Sequence, residues 1–316
     1  MRILYGIQGV GGGHISRSLR MVEEMESRGA IVDILLSGGD YTRDIGREVK
    51  MRFRGFDFKY QYSGEISKWE TLKSIKIIDF IKSLNINLKN WDLVISDFEP
   101  ITAWSGILQG VDVIGISNQF SFNSDLIPRP DKDIISEMVI KNFAPVKRGF
   151  GLHFHKYDEF IKHPIIKKDI LNSQPLDMGY YLIYLPYTDP MNIFQEIGGL
   201  KSNFKIFHPK IKYEIWGNNF QAGPIDTRRF QDCLIRSSGV ICSSGFATTS
   251  EAIHLGKRIM TVPIKNQWEQ VCNDHSLREL GIVRHTKISD FINSDLIENK
   301  IKFIDPVEEI LDEIGF

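Results

Sequence analysis

Cysteine is scarce in this chain. Cys233, Cys242 and Cys272 are all that its 316 residues contain, and no two of them stand at C-x-x-C or other metal-ligating spacing. So sparse and odd a set fits a reducing cytoplasm better than a disulfide framework. Surplus charge of either sign is missing as well. The 39 basic side chains offset 40 acidic ones to a formal net charge of −1, without the basic excess of a dedicated nucleic-acid binder. No apolar run approaches the ~20 residues that span a bilayer. Met1-Arg2 leads straight into a strand-like stretch with no secretory h-region, so a cytoplasmic protein is expected, free to touch the inner face of a membrane. Short repeats and low-complexity tracts are absent too. A hydrophobic fraction of 42% is that of an ordinary globular protein. A chain of this length exceeds what one core usually organises, so two units of about 150 residues each are expected.

What the sequence does contain is alternation. Short apolar runs at 3–7, 31–36, 93–96, 113–116 and 150–154 read as strands covered on both faces. Helical patterns at 15–28 and 101–108 lie between them, the first closed by Gly29. The polar stretch 156–179, carrying His163-Pro164 and Gln174-Pro175, reads as a linker. Strand patterns then resume at 180–185, 204–207, 211–216, 240–242 and 259–262, with helices at 228–236, 248–255 and 267–280. Two βαβ halves predict an α/β chain of two Rossmann-like, doubly wound domains, 1–165 and 166–304, facing across a cleft.

Two glycine-punctuated turns stand out, each between a strand and a helix. The first is Gly9-Val10-Gly11-Gly12-Gly13-His14, and the second runs from Ser243-Ser244-Gly245 into Phe246-Ala247-Thr248-Thr249-Ser250-Glu251. Glycine lets backbone approach a ligand closely, and the exposed N–H groups of a helix start attract anions. Neither turn is a P-loop, for the Lys-[Ser/Thr] pair is lacking. His14 stands where a G-x-G-x-x-G motif needs its last glycine.

The surroundings of the second turn carry a resemblance. The Ser-Gly turn, the helix start Thr249-Ser250-Glu251, Gly256 before a strand ending at Pro263, and Glu269-Gln270 followed by Asn273 resemble the donor-binding half of the GT-B glycosyltransferases. The run from Gly9 to Leu19 and the segment Ser96 to Pro100 resemble the acceptor half of the same superfamily. The whole is similar to the branch that holds the lipid II N-acetylglucosaminyltransferase and the UDP-glycosyltransferases. The resemblance implies metal-independent transfer of a sugar from an NDP-sugar, UDP being the expected nucleotide, to a hydroxyl acceptor. It also implies a role in envelope or surface glycan or glycolipid synthesis, a lipid-linked acceptor among the candidates, and no cofactor beyond the donor. The final segment, 305–316, would be a helix crossing back to the first domain.

The roles follow residue by residue from the resemblance. Ser244, Gly245, Phe246 and Ala247 would offer N–H groups to a diphosphate, and Thr248 and Thr249 would add hydroxyls. Glu251 would accept from the ribose diol, and Glu269 and Gln270 would meet donor-sugar hydroxyls. Asp274 departs from the small residue usual at its place, which leaves the sugar open. Gly11, Gly12 and Gly13 would form the acceptor-side loop, with His14 as general base, Asp97 as its orienting carboxylate and Glu99 as the second choice. Two rivals share the fold: a UDP-sugar 2-epimerase and a non-catalytic nucleotide-sugar-binding subunit. The acceptor-type loop weighs against the first. Intact His14, Asp97, Glu251 and Gln270 weigh against the second.

Three further features have bland readings. Asp131-Lys132-Asp133 has the D-x-D form of metal-dependent transferases of another fold, but sits in a Pro-rich stretch and reads as solvated charge. His153 and His155 share strand-face spacing without a third ligand, and read as structural. Lys141, Lys147 and Arg148 with Phe143 and Phe150 could meet an anionic membrane, but read first as solvated charge over core aromatics.

Overall fold

The computed structural model describes residues 1–39, 41–55, 77–130, 133–294 and 301–316. The first sheet is built from β1 (Arg2–Gln8), β2 (Ile31–Ser37), β3 (Met51–Phe53), β4 (Leu93–Asp97), β5 (Val113–Ser117), β6 (Arg148–Leu152) and β7 (Ile161–Lys162). They run parallel in the order β3-β2-β1-β4-β5-β6-β7. With them go helices α1 (Gly13–Ser27), α2 (Ile77–Ser83), α3 (Pro100–Gln109), α4 (Asn118–Ser121), α5 (Ile134–Phe143) and α6 (Lys168–Leu171). Strand β1 is covered on both faces, with Ile3, Leu4, Tyr5 and Ile7 all fully buried. Helix α1 packs Met21, Val22 and Met25 against it and ends at Gly29, whose φ of +89° suits a glycine after a helix.

The second sheet has the order β10-β11-β9-β8-β12-β13. Its strands are β8 (Tyr180–Tyr184), β9 (Asn203–Phe207), β10 (Ile215–Trp216), β11 (Phe220–Gly223), β12 (Gly239–Cys242) and β13 (Arg258–Thr261), all parallel except β10 on β11. Its helices are α7 (Pro190–Ile197), α8 (Thr227–Arg236), α9 (Phe246–His254), α10 (Trp268–Glu279) and α11 (Ile288–Asn293). A last helix, α12 (Val307–Glu313), returns to the first sheet. Its Val307, Ile310 and Leu311 are fully buried in the cluster that contains Met21 and Met25 of α1. Burial of side chains this size stabilises by about 1.5–3 kcal/mol each. Polar clamps secure the seam: Arg20 binds Asp305 at 2.8 Å, Arg28 binds Asp312 at 3.0 Å, and the buried Lys162 amine binds Glu309 at 2.8 Å.

Several expectations need correction. The stretch 156–179 is not a mere linker, since it holds β7 and α6; both are too short for a periodic pattern to register. The strand expected at 150–154 lies two residues earlier. Of 211–216 only the last two residues pair, because the amide of Ile211 turns back to the carbonyl of His208. Helix α7 escaped notice despite its start signals, Asp189 accepting from the Met191 amide and Pro190 in the first turn. Helix α5 did too, although Asp133 caps it by accepting from the Ser136 amide at 3.0 Å. That cap accounts for one residue of the D-x-D run, and Asp131 and Lys132 lie outside the described residues.

Strand order reverses direction between β1 and β4 in the first sheet and between β8 and β12 in the second. In open α/β sheets the crevice beyond the carboxyl ends at such points is where ligands bind. Both glycine turns sit there.

Candidate active site

A cleft of about 1730 Å³ opens between the two sheets, lined from both by the glycine turns. Drug-sized sites usually measure roughly 300–1,000 Å³, so this one has room for two substrates together.

On the first side, Gly9-Val10-Gly11-Gly12 leads from β1 into α1, Gly11 at a φ of +73°. Gly12 caps α1 without a side chain, so the first-turn N–H groups are left for a ligand. His14 sits in that turn, and Arg17 and Ser18 follow on the same helical face. All three converge on Asp97, the wholly buried last residue of β4. Its Oδ1 lies 2.8 Å from His14 Nδ1, and its Oδ2 accepts from Arg17 Nε at 2.7 Å and from the Ser18 hydroxyl at 2.8 Å. Burial opposes the charge on Asp97, but Arg17 and His14 outweigh it and hold the carboxyl below its ordinary range. An Arg17 terminal nitrogen also stands 2.6 Å from His14 Nδ1. Only one of these contacts can be a hydrogen bond at a time. Either Nδ1–H donates to Asp97, or a bare Nδ1 accepts from Arg17.

Phe98, next in the chain, has a φ of +52°, a strained place for a bulky side chain. Its ring stacks on Phe143 at 4.9 Å and lies parallel to the His14 ring at 6.4 Å. Glu99 does not line the cleft. It caps α3, accepting from the amides of Ile101 at 2.8 Å and Thr102 at 2.7 Å and from the Ser37 hydroxyl. Burial pushes its carboxyl pKa up against those bonds. A carboxylate so fully engaged is no alternative partner for His14, and that expectation is corrected.

On the second side, Gly245 caps α9, again without a side chain. Gly245, Phe246, Ala247, Thr248 and Glu251 line the cleft. Ser244 and Thr249 do not. The Ser244 hydroxyl donates to the Gln270 carbonyl at 2.7 Å, and the Thr249 hydroxyl turns back on the Gly245 carbonyl at 2.9 Å. The Thr249 hydroxyl is thus structural, which corrects its reading as a hydroxyl donor to the diphosphate, and Ser244, expected to offer its N–H group there, stands off the cleft. Glu251 is buried rather than exposed at the helix start. Burial raises its pKa, and Lys167, 3.5 Å away, works against the rise. Gln270 lines the cleft while its Oε1 accepts from the Ile264 amide at 3.1 Å. Asp274 is taken up behind it by Thr261 and by Arg278 at 2.8 Å.

The two sides touch. A Cβ built on Gly13 would stand 3.2 Å from the Ala247 Cβ, so the two helix starts abut. Glu269 is gripped from the first side by the Asn118 amide at 2.8 Å and the Gln119 amide at 2.7 Å. Asn118 in turn accepts from Arg17 at 3.1 Å. A continuous polar chain therefore joins His14, Asp97, Arg17, Asn118 and Glu269. Sequence reasoning missed Arg17, Asn118, Gln119 and Lys167. Arg17 was findable one helical turn after His14, and Asn118 at the carboxyl end of a strand. Among the described residues, no group of three His, Cys, Asp or Glu could hold a metal ion, and no helix is long and apolar enough to cross a membrane.

The sequence profile of glycosyl transferase family 1 matches residues 1–304. No curated protein matches the chain. Among solved structures, the glycotransferase of kitacinnamycin is 12% identical with a TM-score of 0.61, covering 91% of this chain and 86% of its own. The SsfS6 glycosyltransferase of Streptomyces sp. SF2575, in complex with thymidine diphosphate, is 12% identical with a TM-score of 0.57, over 90% and 87%. LpCGTa in complex with UDP is 10% identical with a TM-score of 0.57, over 100% and 90%. Identities this low speak for a shared fold alone.

Proposed function

Since this chain belongs to glycosyl transferase family 1, and is a glycosyltransferase of the GT-B fold, we propose that it moves a sugar from a UDP-sugar to an acceptor hydroxyl without a metal ion. The observation that carries this reading is the meeting of two glycine-capped helix starts at one cleft. Free N–H groups and helix dipoles suit a diphosphate there and replace the charge a metal would supply. The UDP bound to LpCGTa and the thymidine diphosphate bound to SsfS6 support a nucleoside diphosphate.

In this reading residues 166–304 hold the donor, and residues 1–165 with 305–316 hold the acceptor. The N–H groups at the start of α9 and the Thr248 hydroxyl take the diphosphate. Glu251 accepts from the ribose diol, and Gln270 meets the donor sugar. His14, with Nδ1–H on Asp97, uses Nε2 to take the acceptor hydroxyl's proton as its oxygen attacks the anomeric carbon. The bond from that carbon to the diphosphate oxygen breaks, and the new charge falls on groups already facing the α9 N–H donors. Asp97, kept ionised by Arg17, stabilises the imidazolium. Ile134, Ile135, Met138 and Val139 of α5 are exposed. They support an acceptor borne on an apolar chain, hence envelope glycan or glycolipid synthesis at the inner membrane face.

Calorimetric titration of UDP and thymidine diphosphate, with EDTA present, tests the donor site. UDP should bind, and Glu251→Ala should weaken it roughly ten- to a hundredfold through the lost charge-assisted bonds. A protein that binds neither nucleotide, or only with Mg²⁺ or Mn²⁺, would refute the reading.

A further inference from the structure

Gln8 ends β1, one residue beyond the pair formed by Ile7 and Asp97 in the β1–β4 register. Its side chain is 2% exposed and lines the cleft. Neither its Oε1 nor its Nε2 has a hydrogen-bond partner among the described residues. A primary amide brings two donors and a carbonyl with two lone pairs, and nearly all such groups are paired when buried. The strand before it is apolar, Ile3, Leu4, Tyr5 and Ile7. A residue that only filled space at this place would be apolar too. Gln119 lines the same cleft with its Oε1 likewise unpaired among the described residues, its Nε2 being spent on Glu269.

We infer that Gln8 is an acceptor-binding residue and that the acceptor is itself a sugar or ring polyol. Two neighbouring oxygens satisfy the amide: a hydroxyl donates to Oε1, and a second hydroxyl or ring oxygen accepts from Nε2. A lone alcohol leaves half of the amide unpaired, and a site built around hydrogen bonds rejects ligands that cannot complete them. The inference rests on the reading that the first half of the chain holds the acceptor.

The test uses methyl glycosides (glucoside, galactoside, N-acetylglucosaminide) and, as one-hydroxyl probes, cyclohexanol and benzyl alcohol. Binding is followed by saturation-transfer NMR on the full chain, with and without UDP, for wild type, Gln8→Leu and Gln8→Met. At least one glycoside should bind wild type about tenfold or more tightly than either alcohol. The variants should lose roughly ten- to a hundredfold of that affinity, keep their weak binding of the alcohols, and melt no lower than wild type. Melting lowered by several degrees with glycoside binding intact would make Gln8 a structural amide and overturn the inference. So would a wild type that prefers the alcohols, or one that binds UDP but no glycoside. A protein that binds a glycoside but no nucleoside diphosphate leaves this inference standing and fails the donor reading instead.

Discussion

At the scale of single residues, the behaviour of His14 turns on which neighbour holds Nδ1. Nδ1–H on Asp97 leaves Nε2 as a base, whereas Nδ1 accepting from Arg17 puts the proton on Nε2 and makes His14 a donor. With His14 as the base, His14→Ala should lower kcat by about 10²–10⁴-fold with UDP affinity little changed. Asp97→Asn should give a smaller loss, the imidazole remaining but its countercharge gone. Loss of UDP binding in His14→Ala would instead mark His14 as a phosphate contact. The sequence made this pair legible, since a histidine after glycines and an aspartate ending a strand both point past the carboxyl edge of one sheet. It could not reveal that Ser244, Thr249 and Glu99 spend their polar atoms on neighbouring backbone. Those bonds depend on how the chain turns after each strand.

Among the elements, the long buried strands and the helices behind the glycine turns were readable, because burial on both faces leaves runs such as Ile3 to Ile7. The short edge pieces were not. Strands β7 and β10 have two residues each, too few for a period, and are defined only by the neighbour they pair with. Element α4 is a single turn, yet it ties the halves together through Asn118 and Gln119 on Glu269 of α10. Partly buried, charge-assisted bonds of this kind contribute about 1.5–3 kcal/mol each. Glu269→Ala should therefore loosen the cleft locally. Hydrogen exchange over residues 118–121 should quicken by roughly tenfold or more, while β1 and β12 keep their protection. Unchanged exchange in that segment would mean that the contact contributes nothing to closure.

For the whole molecule, histidines whose pKa burial lowers make acid destabilising. His153, directly after β6, is 1% exposed among Phe154 and Tyr157, and its Nε2 has no partner among the described residues. Burial, helped by the charge of His155, pulls its pKa down to about 3. His163, His208 and His254 are lowered by burial as well. The sign follows from proton counts. The fold holds these rings' protons less tightly than the unfolded chain, which binds them near pH 6.5, so acid favours unfolding. Their full contribution is present above about 6.5 and is lost as pH falls toward the folded values. Each contributes a slope of at most ~1.4 kcal/mol per pH unit. Glu99 and Glu251, raised by burial, have the opposite sign: their contribution is lost as pH rises through their folded pKa values. Asp97, held low, loses its contribution only below the usual carboxylate range. Between pH 6 and 4 His153, whose folded pKa is about 3, should contribute a fall in stability with acid. His153→Phe should flatten the fall in urea midpoint across that interval by close to one proton's worth of slope. A variant that loses stability with acid as steeply as wild type would show that His153 gains its proton without unfolding.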